Sequence, residues 1–125
     1  MNWKVEYNAD LQRMELTYKG LNSARDIFSS SYSNIQLSKE KGITRFYVDA
    51  RELKLNAGKT DLFELPSKLY EKWGVDPRTR IAVIEPKDND AKLKADFYIL
   101  ATQNLGWFAK LFATEKDAME WLWKK

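Results

Sequence analysis

The chain has 125 residues, a formal net charge of +3 and a pI near 9.0, with 44% hydrophobic, 14% aromatic and 31% charged residues, and neither histidine nor cysteine. That length suits a single domain over residues 1–125, while the missing residue types exclude disulfides, cysteine nucleophiles and histidine-based acid–base or metal chemistry. The two signs of charge alternate along the chain, as on a solvated surface rather than in a nucleic-acid groove.

Trp3, Val5 and Tyr7 alternate with Lys4 and Glu6, and Met14, Leu16 and Tyr18 alternate with Arg13, Glu15 and Thr17. With Asn8-Ala9-Asp10 as turn residues between them, the two runs predict a β-hairpin, which Gly20 should end. Ser23 and Asp26 form a capping signal, and Ala24, Ile27, Phe28, Ser31 and Ile35 recur at helical spacing, so the first helix should reach about Lys41 before Gly42 stops it. Ile43–Val48 is β-branched and aromatic and reads as a buried strand with Asp49 at its end. A polar connection is expected over 50–59.

Leu62, Leu65, Leu69 and Trp73 make one apolar helical face ended by Gly74, with Asp61 and Glu64 as its capping pair. Pro66 fits poorly if that helix begins at Leu62, because its ring would meet the carbonyl four residues back; a start at Leu65 or a kink would relieve it. Ile81–Ile84 is unbroken apolar sequence ended by Glu85-Pro86, as in a central strand covered on both faces. Asp88 or Asp90 should open a third helix, with Leu93, Phe97, Leu100 and Ala101 as its main stripe and Gly106 as its stop. That helix is apolar on more than one side, since Tyr98 and Ile99 lie off the stripe; it can dock a second copy, line an acyl pocket or lie beneath the last helix. Trp107–Phe112 is the last strand. Thr114 begins a final helix that turns Ala118, Trp121 and Leu122 inward. The order predicts an α/β fold: a mixed five-stranded sheet, an N-terminal hairpin followed by parallel βα units, flanked by about four helices.

This pattern resembles the STAS fold of anti-anti-sigma factors, specifically its SpoIIAA-like branch. The resemblance is carried by Gly20 ahead of Ser23 and Asp26, by Val48-Asp49, by Ile81 to Pro86, and most specifically by Gly106-Trp107 through Phe112 to Ala118 and Trp121-Leu122. It implies a non-enzymatic module: partner-switching regulation, a cytoplasmic transporter domain, or binding of apolar ligands as in CRAL-TRIO lipid-transfer domains. Classical members carry a phosphorylated serine where the loop after the third strand enters the second helix. Here that stretch reads Ala57-Gly58-Lys59-Thr60-Asp61-Leu62, so Thr60 is the candidate phosphoswitch, although threonine ahead of a helix ordinarily only caps it.

Asp49, Arg51 and Glu52 fall at the expected carboxyl end of one central strand, and Glu85 and Lys87 at that of another, where open α/β sheets keep their ligand crevice. They are the candidate ligand or partner crevice; the plainer account is that they solvate loop ends and pair with each other. Asp88-Asn89-Asp90 lacks the later ligands of a calcium loop, and Gly58-Lys59-Thr60 lacks the earlier glycine of a phosphate loop, Leu53 standing in its place. No metal or cofactor is therefore expected. Adjacent aromatics such as Phe46-Tyr47 and Trp107-Phe108 imply either two covered sheet faces or a ring exposed for a partner.

The expectation is an interaction module that binds an unidentified protein partner or itself and performs no chemistry. The alternative is a carrier or sensor of a small apolar ligand held between the sheet and a mobile helix such as Leu62 to Trp73, which needs a cavity of several hundred cubic ångströms. An enzyme using Asp49, Glu52 or Glu85 would need two carboxylates converging in one buried cleft. The first residues hold no apolar run suited to a signal peptide and no stretch approaches the roughly 20 apolar residues of a spanning helix, so cytoplasmic residence is the default.

Overall fold

In the computed structural model, which describes residues 2–125, the two alternating segments form the expected antiparallel pair, β1 (Trp3–Asn8) and β2 (Arg13–Ser23). Trp3, Val5 and Tyr7 lie opposite Tyr18, Leu16 and Met14, so one face of the hairpin is apolar. Gly20 does not end β2. Its φ of +67° is a left-handed conformation that costs glycine nothing, and the strand continues to Ser23 beside β3.

The first helix, α1 (Ala24–Lys41), has the predicted limits: Ser23 Oγ accepts the Asp26 N–H at 3.1 Å, and the Asp26 carboxylate accepts the Ser23 N–H at 2.9 Å. The strand β3 (Arg45–Asn56) corrects the expected polar connection, for it runs far past Val48. Between the pairs Thr17–Asp49 and Lys19–Glu52 it holds one residue more than β2. This bulge switches the buried parity from Phe46, Val48 and Ala50 to Leu53, which is why the alternation is invisible to a reading that assumes one phase.

The helical stretch that follows also begins earlier than expected. Gly58 precedes α2 (Lys59–Glu64), and Asp61 accepts the Gly58 N–H at 3.0 Å; Asp61 and Glu64 do not form the capping pair. A π-helical turn over Leu65–Leu69 joins α2 to the short α3 (Tyr70–Lys72). Pro66 sits at the start of that turn, where the widened ladder takes a residue that a regular α-helix would reject. Trp107 fixes the turn: its indole N–H donates to the Pro66 carbonyl at 3.1 Å and its ring meets Tyr70 edge-on at 5.7 Å.

The remaining elements are β4 (Arg80–Ile84), α4 (Asn89–Asn104) with Asp88 as its cap, β5 (Phe108–Phe112) and α5 (Glu115–Leu122) capped by Thr114. The sheet order is β1-β2-β3-β4-β5, with every pairing after the hairpin parallel. One face carries the main core, where Met14, Leu16, Phe46, Val48, Ile81 and Val83 meet Ile27 and Ile35 of α1, Leu62 and Leu65, and Ile99 of α4. On the other face Tyr47, Ala82 and Ile84 meet Ala118 and Leu122 of α5, with Phe112, Met119 and Trp121 packed around them.

Two expectations for α4 are thereby overturned. Its buried stripe is Ala91, Ala95, Ile99 and Thr102, while Leu93 and Leu100 of the expected stripe are 66% and 59% exposed. It does not lie beneath the last helix either, since the two pack into different cores on opposite faces of the sheet. Small side chains let α4 approach the sheet closely, which leaves the larger leucines on its outer side. Among the described residues no helix is long and apolar enough to cross a membrane.

Candidate functional site

The bulge in β3 gathers the predicted crevice residues. Asp49, Arg51 and Glu52 lie within β3 rather than at its end, because the strand continues to Asn56. The Asp49 carboxylate accepts from Arg51 three ways, from the backbone N–H at 3.2 Å, Nε at 3.0 Å and an Nη at 2.8 Å. It thus satisfies the backbone N–H at the irregular step while holding the guanidinium as a fork. Lys87, just past β4, donates to Glu52 at 2.8 Å, and its backbone N–H reaches the Arg51 carbonyl at 3.2 Å. Glu85 joins neither pair; its N–H goes to the Phe112 carbonyl at 3.0 Å.

Four of the five residues therefore meet as two ion pairs. The hydrogen bonds from Arg51 hold the Asp49 carboxyl below its ordinary range against the opposing effect of burial, and the Lys87 ammonium lowers that of Glu52. Glu52 and Lys87 stand in water, so their attraction is screened. Two carboxylates with depressed affinities for protons, each matched to a cation, make a poor acid–base couple. Thr60 lies apart in the first turn of α2, exposed and inside the helix; Gly58, not Thr60, is the cap.

Beneath the main-core face lies a cavity of about 90 Å³, between the sheet and α1, α2 and α4. Leu16, Phe46, Leu62, Leu65 and Val83 make its wall largely apolar. Asn34, only 2% exposed, also lines it, with an Oδ1 that has no hydrogen-bond partner among the described residues. Along its wall Tyr70 and Tyr98 share a hydroxyl–hydroxyl bond of 2.5 Å, and Tyr18 bonds Ser30 at 2.5 Å. Burial pushes all three phenols up, that of Tyr70 well above its ordinary 10.0. The space holds a few waters or a single small ring and falls well short of an acyl chain.

A third constellation escaped sequence reasoning. Arg13, Arg45 and Arg80 are each the first residue of a strand, and the register puts Arg45 opposite Arg80 on the face that α5 covers. Arg13, 3% exposed, donates to Glu15 and to Glu115 of α5 at 2.7 Å each and lies 3.9 Å from the Tyr47 ring centroid. At the other end of α5, Arg45 donates to the Leu122 carbonyl at 3.2 Å and Arg80 to that of Trp121 at 2.5 Å, where the last carbonyls of a helix carry negative partial charge. Arg45 also stacks 3.6 Å over Trp123. The available signal was an arginine opening each of three strands; only the register reveals that they form a row.

This order of strands, with one antiparallel hairpin feeding a parallel sheet and helices on both faces, superposes on two solved structures. The anti-sigma factor antagonist SpoIIAA in its unphosphorylated form matches with a TM-score of 0.57 at 13% identity, over 98% of this chain and 99% of that one. The chain has the SpoIIAA-like fold. An uncharacterized protein from Shewanella loihica with a SpoIIAA-like fold matches with a TM-score of 0.55 at 19% identity, over 96% of this chain and 91% of that one. No family model and no curated protein matches the sequence. The resemblance read from Gly20, Val48-Asp49 and the Gly106-to-Leu122 segment accordingly holds for the fold.

Proposed function

We propose that the chain is a STAS-like regulatory or interaction module that binds a protein partner and performs no chemistry, with cytoplasmic residence in keeping with its lack of cysteine. The observation that carries this reading is where the apolar side chains go. Leu93 and Leu100, two helical turns apart on α4, project outward with Leu105 beyond them, while the core beneath leaves a space of only about 90 Å³. The SpoIIAA it resembles in fold is an anti-sigma factor antagonist. In this reading the Asp49–Arg51 and Glu52–Lys87 pairs, with Glu85 nearby, form a polar rim for a partner, and Thr60 is an accessible hydroxyl for phosphate. The non-enzymatic assignment rests on those pairs, which neutralise the carboxylates instead of poising them.

The test compares wild type with a Leu93→Asp/Leu100→Asp variant in crosslinking from the native source. The variant should keep its helical circular dichroism, lose the partner the wild type retains, and show that loss without any change in Thr60 phosphate mass. Identical crosslinked sets would overturn the assignment of α4 as the docking face.

The 90 Å³ cavity favours a second reading, a sensor of a small apolar molecule with one donor directed at Asn34 Oδ1. A small-molecule mass retained in native mass spectrometry, and lost from an Ala95→Phe variant that fills the space, would support it.

A further inference from the structure

The sheet leaves β1 as one of its two edges. Lys19 donates its backbone N–H to the Asn2 carbonyl at 2.9 Å, and the β1–β2 register then runs from Trp3–Tyr18 to Asn8–Arg13 without a shift. In an antiparallel ladder, opposed residues alternate between pairs that exchange both backbone bonds and pairs that exchange none. Since Asn2–Lys19 is of the first kind, Lys4, Glu6 and Asn8 bond to β2, and Trp3, Val5 and Tyr7 turn their N–H and C=O groups away from it. Nothing among the described residues takes those groups up. The strand also lacks proline and bulges, the usual devices that blunt an edge, and carries one charge of each sign.

We propose that β1 pairs with β1 of a second copy of this chain, antiparallel about a twofold axis at Val5, so that two sheets become one. The inference goes beyond the reading above, which concerns α4. Three registers keep apolar residues opposite apolar ones. A twofold at Lys4 sets lysine against lysine, and one at Glu6 sets glutamate against glutamate. The twofold at Val5 alone sets Lys4 of each copy against Glu6 of the other. It is also the register with most hydrogen bonds, because Trp3 meets Tyr7, Val5 meets Val5, and every outward N–H and C=O of the three residues finds its mate. The other two set one such residue of each copy opposite a position outside β1.

Charge and burial agree with that register. Lys4 and Glu6 side chains are 73% and 49% exposed and only loosely joined within the chain, at 3.7 Å, so both can reach across the new seam. They fall at the pairs that exchange no backbone bonds, where opposed side chains come closest. Trp3, Val5 and Tyr7 are half-buried against α1, and the second copy extends their apolar row. The other edge does not offer this: a full-length antiparallel pairing of β5 opposes Lys110 to Lys110.

Sedimentation velocity on the full chain over a concentration series tests the proposal through charge reversal. Wild type should show a reversible monomer–dimer equilibrium. Lys4→Glu or Glu6→Lys alone places like charges at both seam positions and should raise the dissociation constant about tenfold, two repulsive cross-strand pairs for each dimer. Lys4→Glu/Glu6→Lys in one chain restores the match, and so does mixing the two single variants; both should recover the dimer. A wild type that stays monomeric throughout overturns the proposal, as does a dimer indifferent to the single reversals or not rescued by mixing. Each of these outcomes leaves the Leu93/Leu100 crosslinking result standing, so the two readings fail separately.

Discussion

The two faces of the sheet are held by different forces. On one, α1, α2 and α4 bury leucine, isoleucine and phenylalanine in a continuous core, and the polar groups there serve to satisfy one another, as Tyr70 does Tyr98 and Tyr18 does Ser30. On the other, α5 is eight residues long and buries little beyond Ala118 and Leu122, so three arginines seat it by charge, carbonyl capping and ring stacking. Burial is non-directional and spreads over many residues, whereas the arginine contacts are few and directional. Damage to the first face should therefore unfold the whole domain, and damage to the second should release one helix.

Phe46→Ala should break the contrast most severely. It removes a ring at the centre of the main core and should lower unfolding free energy by about 4 kcal/mol in urea titration, with all probes moving together. Arg13→Met comes next. It leaves Glu15 and Glu115 without their buried cation, and with Glu115 half in water the cost should be about 2 kcal/mol. Trp121 and Trp123 fluorescence should report it ahead of far-ultraviolet circular dichroism; simultaneous transitions would show that α5 is integral to the fold. Ser23→Ala should cost about 1 kcal/mol through the lost α1 cap, without altering tryptophan emission from α5.

Proton equilibria sharpen the same comparison. Burial raises the phenols of Tyr18, Tyr70 and Tyr98 on the main-core face above their ordinary 10.0. The unfolded chain releases those protons first, so the stability they confer is complete below pH 10 and is lost as pH climbs through the raised values. Alkaline unfolding should accordingly be cooperative and coincide with tyrosinate absorbance. Asp49 has the opposite sign: its lowered value favours the folded state above the ordinary 3.8, and that contribution fades as pH drops below it. The effect should be the smallest here, under about 1 kcal/mol, because Arg51 is half in water; comparing wild type with Asp49→Asn at mildly and strongly acidic pH isolates it.

Where period and punctuation acted alone, reading the chain worked. The hairpin, α1 with its Ser23–Asp26 box, the interior strand β4 and the capped α5 stand where expected, because each is specified by residues a few positions apart. It failed where a distant strand supplied the pattern. Residues 50–56 look like loop because they are polar, yet β2 lies alongside and a single bulge changes the phase of burial. The candidate crevice was half legible: the charges were visible, but their pairing, Asp49 to Arg51 and Glu52 to Lys87, depends on that bulge and on where β4 ends.

Local sequence by itself determined the succession of elements, since caps, glycine stops and apolar periodicity act within one or two turns of chain. Tertiary structure decided which faces those elements present. It put Ala95 and Ile99 of α4 inward and Leu93 and Leu100 out, gave Pro66 a π turn, and aligned Arg13, Arg45 and Arg80 into one row under α5. Those outcomes follow from how closely a helix can approach a sheet and from strand register, quantities that arise only when residues far apart in the chain are packed together.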